Sequence, residues 1–185
     1  MDKVGWCTWV TGLPGSGKSV VSRALVELLK KKRIQAQLLS SDALRKVLTP
    51  KPTYSLGERD IVYATLVYIA TLLTENGVNV IVDATGNLRR YRDDARNNIR
   101  KFVEVYLECP LEVCREREAK RGKTYGAPRR IYSLAEEGKA STVPGLGQPY
   151  EPPLKAEVSI NTTKCSPDEC AQQILQKILG TESKR

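Results

Sequence analysis

The sequence predicts an α/β fold in three layers, a mostly parallel five-stranded sheet with helices on both faces. Three observations predict it. Apolar runs suited to strands alternate with helical patterns along the 185-residue chain. Val80-Ile81-Val82 is apolar without alternation, as a strand covered on both sides should be. Between the first strand and the first helix lies Gly12-Leu13-Pro14-Gly15-Ser16-Gly17-Lys18-Ser19, which matches the phosphate-binding pattern at every required position.

The strands are expected at 6–11, 36–40, 79–84, 102–109 and 157–161, and the helices at 18–32, 43–48, 56–76, 90–101, 111–120 and 167–179. Helix punctuation agrees. Asn76-Gly77 gives the third helix a glycine stop, and Ser166-Pro167-Asp168-Glu169 supplies a cap, a first-turn proline and early acids. Lys30-Lys31-Lys32-Arg33 complements the negative end of the first helix. The whole chain, 1–185, reads as one domain. Its least regular stretch, about 121–153, is rich in glycine and proline and in this context reads as a basic lid.

The loop at 12–19 carries the chemistry. Gly12, Gly15 and Gly17 let backbone N–H groups turn inward around phosphate oxygens, with Ser16 among them. The following helix adds its positive end. Lys18 reaches the β- and γ-phosphates, and the Ser19 hydroxyl is a Mg²⁺ ligand. The fold is therefore of the P-loop NTPase type, with ATP and Mg²⁺ as expected cofactors.

Composition narrows the chemistry. The chain has no histidine, which excludes a histidine general base, a Ser-His-Asp triad and histidine metal sites. The pairs Cys109/Cys114 and Cys165/Cys170 are spaced too widely for a structural zinc hairpin, so the five cysteines read as packing residues. A net charge of +9 fits either a solvated basic surface or binding of a polyanion. The first residues lack a basic region leading into an apolar core, and no apolar run is long enough to span a membrane. The expected location is cytoplasmic.

Ligands in open parallel sheets bind beyond the carboxyl ends of the strands. Three segments place chemistry there. Asp42 follows the second strand. It either caps a short helix or accepts the proton of an acceptor hydroxyl, and the neighbouring phosphate loop favours the second role. Arg45, nearly one turn on, is placed to hold an anionic acceptor. Asp83 ends the third strand, as a turn former or as a Mg²⁺ ligand through water, and Arg89, Arg90 and Arg92 follow it. Arg117, Lys120, Arg121, Lys123, Arg129 and Arg130 supply the lid, and one or two such arginines suffice to stabilise a transferring phosphoryl group.

Together with Tyr54-Ser55, Glu58-Arg59, the arginine-rich run 89–96, Pro110-Leu111-Glu112-Val113-Cys114 and Pro149-Tyr150-Glu151-Pro152-Pro153, these motifs resemble the adenylylsulfate kinase family over about 5–179. The resemblance implies an ATP-dependent phosphotransferase that phosphorylates the 3′-hydroxyl of adenosine 5′-phosphosulfate with Mg²⁺. It implies that Asp42 is the catalytic carboxylate and that Arg45, Arg59 and Tyr54 bind substrate. Arg129 falls where the family has a lid lysine, and the resemblance implies that it too binds substrate. Arg117 and Arg121 are assigned to the ATP side. The chain departs from the family pattern at Ser40 (an aspartate there), Val62 (an asparagine), Gly86 (a serine) and Val143 (an aromatic that stacks on adenine).

A second resemblance, through Asp42-Ala43-Leu44-Arg45, Asp83-Ala84-Thr85-Gly86-Asn87 and Lys120-Arg121-Gly122, is to polynucleotide 5′-hydroxyl kinases, and it would bring a nucleic-acid or other hydroxyl acceptor. The segment 143–153 favours the first. A nucleotide-dependent switch is weakened by the absence of the Asn-Lys-x-Asp of GTPases. A nucleic-acid module is weakened by the scarcity of Phe and Trp. The expected partner is a small nucleotide substrate. Tyr63, Leu66, Val67, Ile69 and Ala70 on the long third helix read as core, with a homodimer left open.

Overall fold

The structure, a computed structural model, describes residues 4–182. Five strands form one parallel sheet: β1 (Cys7–Thr11), β2 (Ala36–Ser40), β3 (Asn79–Asp83), β4 (Phe102–Glu108) and β5 (Val158–Asn161), in the order β2-β3-β1-β4-β5. Every pair is parallel, β1 pairing β3 from Cys7↔Val80 to Val10↔Asp83 and β4 from Cys7↔Phe102 to Thr11↔Tyr106. The sheet is thus wholly parallel. Each strand lies within a residue or so of its expected bounds.

Around it lie α1 (Lys18–Lys31), α2 (Ser41–Leu48), α3 (Leu56–Glu75), α4 (Arg89–Asn98), α5 (Leu111–Lys120), α6 (Ile131–Glu136) and α7 (Pro167–Glu182). All five residues of β1 are buried, so it reads to the two faces alternately. Val10 joins Leu25 and Leu29 of α1 and Ile174 and Ile178 of α7 on one face. Cys7 and Trp9 join Leu66, Val67 and Ala70 of α3 and Tyr91 and Ala95 of α4 on the other. The long third helix puts Tyr63, Leu66, Val67 and Ala70 in the core as expected, but Ile69 is only half-buried and outside it, while Ile61, Tyr68 and Leu72 on its outer side stay exposed. Four of the five cysteines are buried, all five are free, and each lies in or against an apolar cluster. Among the described residues no helix is long and apolar enough to cross a membrane.

Helix ends follow local chemistry. Ser166 and Glu169 form a reciprocal cap on α7: the Glu169 amide donates to the Ser166 hydroxyl, and the Ser166 amide donates to Glu169 Oε2 at 2.7 Å. The N-cap of α4 is Leu88, which has no side chain for the task. Glu151 supplies it from a distance, accepting from the Arg89 amide at 2.7 Å while its own amide donates to the Asn87 carbonyl at 2.8 Å. Asn87 Nδ2 donates to the Pro149 carbonyl, and the buried Arg92 guanidinium donates to the carbonyls of Gly86 and Glu151. Arg92 is charge-balanced by buried Glu104 at 2.6 Å. This network pins 149–151 to the end of β3, so the far part of the irregular stretch is fixed scaffold.

The nearer part, 121–145, crosses above the sheet's carboxyl edge. It contains α6, which falls in a stretch expected to be irregular. Tyr132 of α6 donates to the Pro14 carbonyl at 2.8 Å, and Tyr132, Val143, Cys109 and Cys114 form a small core against Leu13. The phosphate loop is therefore packed from above as well as below.

Candidate active site

A cavity of about 360 Å³ opens where the carboxyl ends of β1, β2 and β3 meet the segment above them. Its floor is the phosphate loop. Gly15 stands at φ +85, and a Cβ there would lie 2.3 Å from the Cys114 carbonyl oxygen, so only glycine lets the loop run this close to α5. Gly17, also left-handed at φ +103, is the N-cap of α1. Gly12 and Ser16 are buried beneath the loop and do not line the cavity.

Lys18, the first residue of α1, is buried and lies beneath the loop. Its ammonium donates to the carbonyls of Gly12 and Leu13, both at 2.9 Å. Burial pushes its pKa down, while the carboxylates of Asp83 and Asp42 pull it back up. For Asp83, burial raises the pKa, and Lys18 and the Ser19 hydroxyl that hydrogen-bonds it oppose the rise. Ser19 and Asp83 are thus adjacent oxygen donors, hard ligands of the kind Mg²⁺ takes. Among the described residues no cluster of three or more His, Cys, Asp or Glu exists, so an ion here would take its other ligands from phosphate and water.

Asp42 lies across the cavity from the loop. It does not cap α2. Ser40 does, its hydroxyl accepting from the Ala43 amide, so Asp42 in the first turn is left to face the cavity. Ser40 itself, where the family pattern has an aspartate, is absorbed by this cap. Asp42 is felt electrostatically by Lys18, Asp83, Tyr54 and Tyr63. A carboxylate and an ammonium thus face one space, with a pair of metal-type oxygens beside them.

The wall beyond Asp42 is built by one buried carboxylate. Glu58 accepts from the Thr53 amide at 2.6 Å, the Thr53 hydroxyl at 2.8 Å and the Tyr54 amide at 3.2 Å, and it pairs with the buried Arg45 guanidinium. These bonds hold 49–55 as a loop with Tyr54 at φ +56. They place the Tyr54 ring 4.7 Å beneath the Arg45 guanidinium, with both residues lining the cavity. Arg59 also lines it, donating to the Tyr54 carbonyl at 3.1 Å and the Thr142 carbonyl at 2.6 Å. Arg45 and Arg59 therefore carry positive charge to the wall while fixing its backbone.

Burial alone would raise the Glu58 pKa, but the Thr53 hydrogen bonds and Arg45 hold it down to about 2. A depressed carboxylate stabilises the fold above its unfolded value, near 4.5, and loses that contribution as pH falls toward about 2. Glu58→Gln is expected to cost about 3–5 kcal/mol at pH 7, because Arg45 is left buried without its partner. Thermal unfolding should show the gap to wild type narrowing between pH 5 and pH 2.5. A gap that does not change with pH would refute this role.

Of the basic residues expected in the upper segment, Arg117, Arg121 and Lys123 line the cavity. Arg121 pairs with buried Glu118 at 3.1 Å, and its charge is felt by Lys18. Arg117 reaches the cavity but donates to the Thr162 hydroxyl at 2.9 Å and carbonyl at 2.8 Å. Arg129 does not reach it. It is exposed and donates to the Gly122 carbonyl at 2.9 Å, because α6 begins directly after it and carries the chain away. Thr85 and Tyr63, neither expected as a site residue and Tyr63 expected as core, also line the site. Thr85 follows β3, and Tyr63 stands one turn after Arg59 on the same face of α3. The i, i+4 spacing from Arg59 is the signal that could have found Tyr63.

A family model described as adenylylsulphate kinase matches residues 4–161. The chain belongs to the adenylylsulfate kinase family. An adenylyl-sulfate kinase from Rippkaea orientalis is 35% identical over 178 residues, covering 96% of this chain and 93% of the relative. One from Gloeothece citriformis is 34% identical over 178 residues, with 96% of both chains covered. The Mycobacterium tuberculosis APS kinase solved with AMPPNP and APS is 32% identical and superposes with a TM-score of 0.82, covering 95% of this chain and 98% of that one.

Within this adenylylsulfate kinase family member, the remaining departures fall at three different places. Gly86 is left-handed, and a Cβ would lie 3.1 Å from the Trp9 ring and 3.2 Å from Arg92, so the space a serine needs is filled. Val62 is fully buried and does not line the cavity. Val143 does line it, offering an apolar wall where the family has an aromatic.

Proposed function

We infer that this chain transfers the γ-phosphoryl group of ATP to the 3′-hydroxyl of adenosine 5′-phosphosulfate, giving 3′-phosphoadenosine 5′-phosphosulfate and ADP. The observation that carries the reading is the placement of Asp42 opposite Lys18 across one cavity, uncapped and facing inward. ATP lies with its phosphates over the amides at 12–19, and Lys18 turns from the loop carbonyls to the β- and γ-oxygens. The acceptor nucleotide lies between Tyr54 and Val143, its anionic end near Arg45 and Arg59. The acceptor oxygen attacks the γ-phosphorus, the bond to the β,γ-bridging oxygen breaks, and the hydroxyl proton passes to Asp42. Ser19 and Asp83 hold Mg²⁺, which supplies neutralisation of the phosphate charge when bound.

The segment 121–145 acts as the lid, with Arg121 as its phosphate-facing arginine and Arg117 steadying the adenine side through Thr162. Closure excludes water, which would otherwise take the phosphoryl group. Family membership favours this acceptor over a polynucleotide end, and the reaction belongs to a cytoplasmic enzyme. An acceptor panel with ATP and Mg²⁺ tests it. ADP release is expected with adenosine 5′-phosphosulfate and at background with 5′-hydroxyl oligonucleotides or simple sugars. Equal turnover with an oligonucleotide would overturn the assignment.

A further inference from the structure

We propose that Tyr63 binds the acceptor nucleotide, its phenolic hydroxyl donating a hydrogen bond to an oxygen of that nucleotide. The proposal rests on the acceptor reading above and goes beyond it by naming a further binding residue.

Tyr63 is 2% exposed, yet it lines the cavity. Its ring cannot swing. It stacks on Tyr91 with centroids 4.3 Å apart and lies against Trp9 with centroids 6.3 Å apart. The phenol oxygen accepts a hydrogen bond from the Gly86 amide at 3.0 Å. A phenolic O–H lies close to the ring plane and has two orientations, and a donor on one side of the oxygen leaves the proton the other side. Among the described residues no protein acceptor meets that proton. Burial pushes the phenol pKa up, so the group stays a donor at neutral pH. The charged groups it senses are Arg59, Arg45 and Asp42, all of which line the acceptor half of the cavity.

A buried donor with its partner missing is costly, and a nucleotide oxygen arriving there removes the deficit. Position 62, where the family pattern carries an asparagine, holds buried Val62 and offers no polar atom. Tyr63, the next residue along α3, does line the cavity and brings a polar atom there. Gly86 is part of the device. Its left-handed turn aims the amide at the phenol, and Arg92 fixes that turn by donating to the Gly86 carbonyl.

Tyr63→Phe removes one oxygen and keeps the ring stack, so the test reads binding. Initial rates are measured with each substrate varied in turn, beside the melting temperature. The KM for adenosine 5′-phosphosulfate is expected to rise about tenfold or more, with the KM for ATP within about twofold of wild type. A purely structural role would lower the melting temperature and weaken both substrates alike, and that result overturns the proposal. So does an unchanged acceptor KM, which would mean that water satisfies the hydroxyl. A second measurement places 3-fluorotyrosine at position 63. Its ¹⁹F resonance should shift on adding the acceptor and not on adding a non-hydrolysable ATP analogue, and the reverse pattern would refute the contact. Wild-type turnover in the same assay separates the two claims. Turnover with a normal Tyr63→Phe acceptor KM sinks only this inference, and no wild-type turnover removes both.

Discussion

Lys18→Met should reduce kcat by about 10²–10³-fold or more, the range for losing a preorganised charge at the reacting group. Methionine keeps the length and loses the three N–H donors. Lys18 is the one ammonium beneath the phosphate loop among the described residues lining the cavity floor, held within 2.9 Å of two loop carbonyls and beside Asp83. Its burial already works against its charge, so the site keeps an ammonium there at some cost to stability. The cost is repaid when phosphate oxygens replace the loop carbonyls as its partners. ATP affinity should fall as well, because the same ammonium meets the ground-state phosphates. Rapid-quench kinetics and calorimetric titration of a non-hydrolysable analogue read the two effects. Activity near wild type would contradict the assignment of the loop.

Asp42→Asn should lose about 10²–10⁴-fold in kcat, the usual contribution of a positioned proton acceptor. ATP binding should be nearly unchanged, which distinguishes this variant from the first. The asparagine amide cannot take the proton and presents an N–H₂ where a carboxylate accepted. The fold should tolerate the change, because the α2 cap is Ser40 and Asp42 makes no cap hydrogen bond. A calorimetric titration showing lost ATP affinity, or a kcat within about threefold of wild type, would move Asp42 out of the proton-accepting role.

The sheet and its helices were legible because their signals are local. Val80-Ile81-Val82, the glycines at 12, 15 and 17, the Asn76-Gly77 stop and the Ser166-Glu169 cap each act within a few residues, and each appears where expected. The helix α6 was not legible. It is six residues long, it starts from a left-handed Arg130, and its stability comes from Tyr132 reaching across to Pro14. The catalytic side was partly legible. Lys18, Ser19, Asp42 and Asp83 sit at strand ends, and a parallel sheet brings such ends together. What Arg45, Arg59 and Arg92 do was hidden, since their partners Glu58, Thr142 and Glu151 come from chain folding back on itself. The same blindness covers Arg129, whose place in the site depended on where α6 would begin, and Tyr63, whose hydroxyl gains meaning only once Gly86 meets it.

The most direct test of the account follows a labelled γ-phosphate. Incubation with γ-³²P ATP, Mg²⁺ and adenosine 5′-phosphosulfate should leave the label on the acceptor, released by a 3′-nucleotidase, and the initial rate of labelling should fall about 10²–10⁴-fold when Asp42→Asn replaces wild type. Label recovered only as inorganic phosphate, or carried at another position of the acceptor, would contradict transfer between the phosphate loop and a hydroxyl held at Asp42.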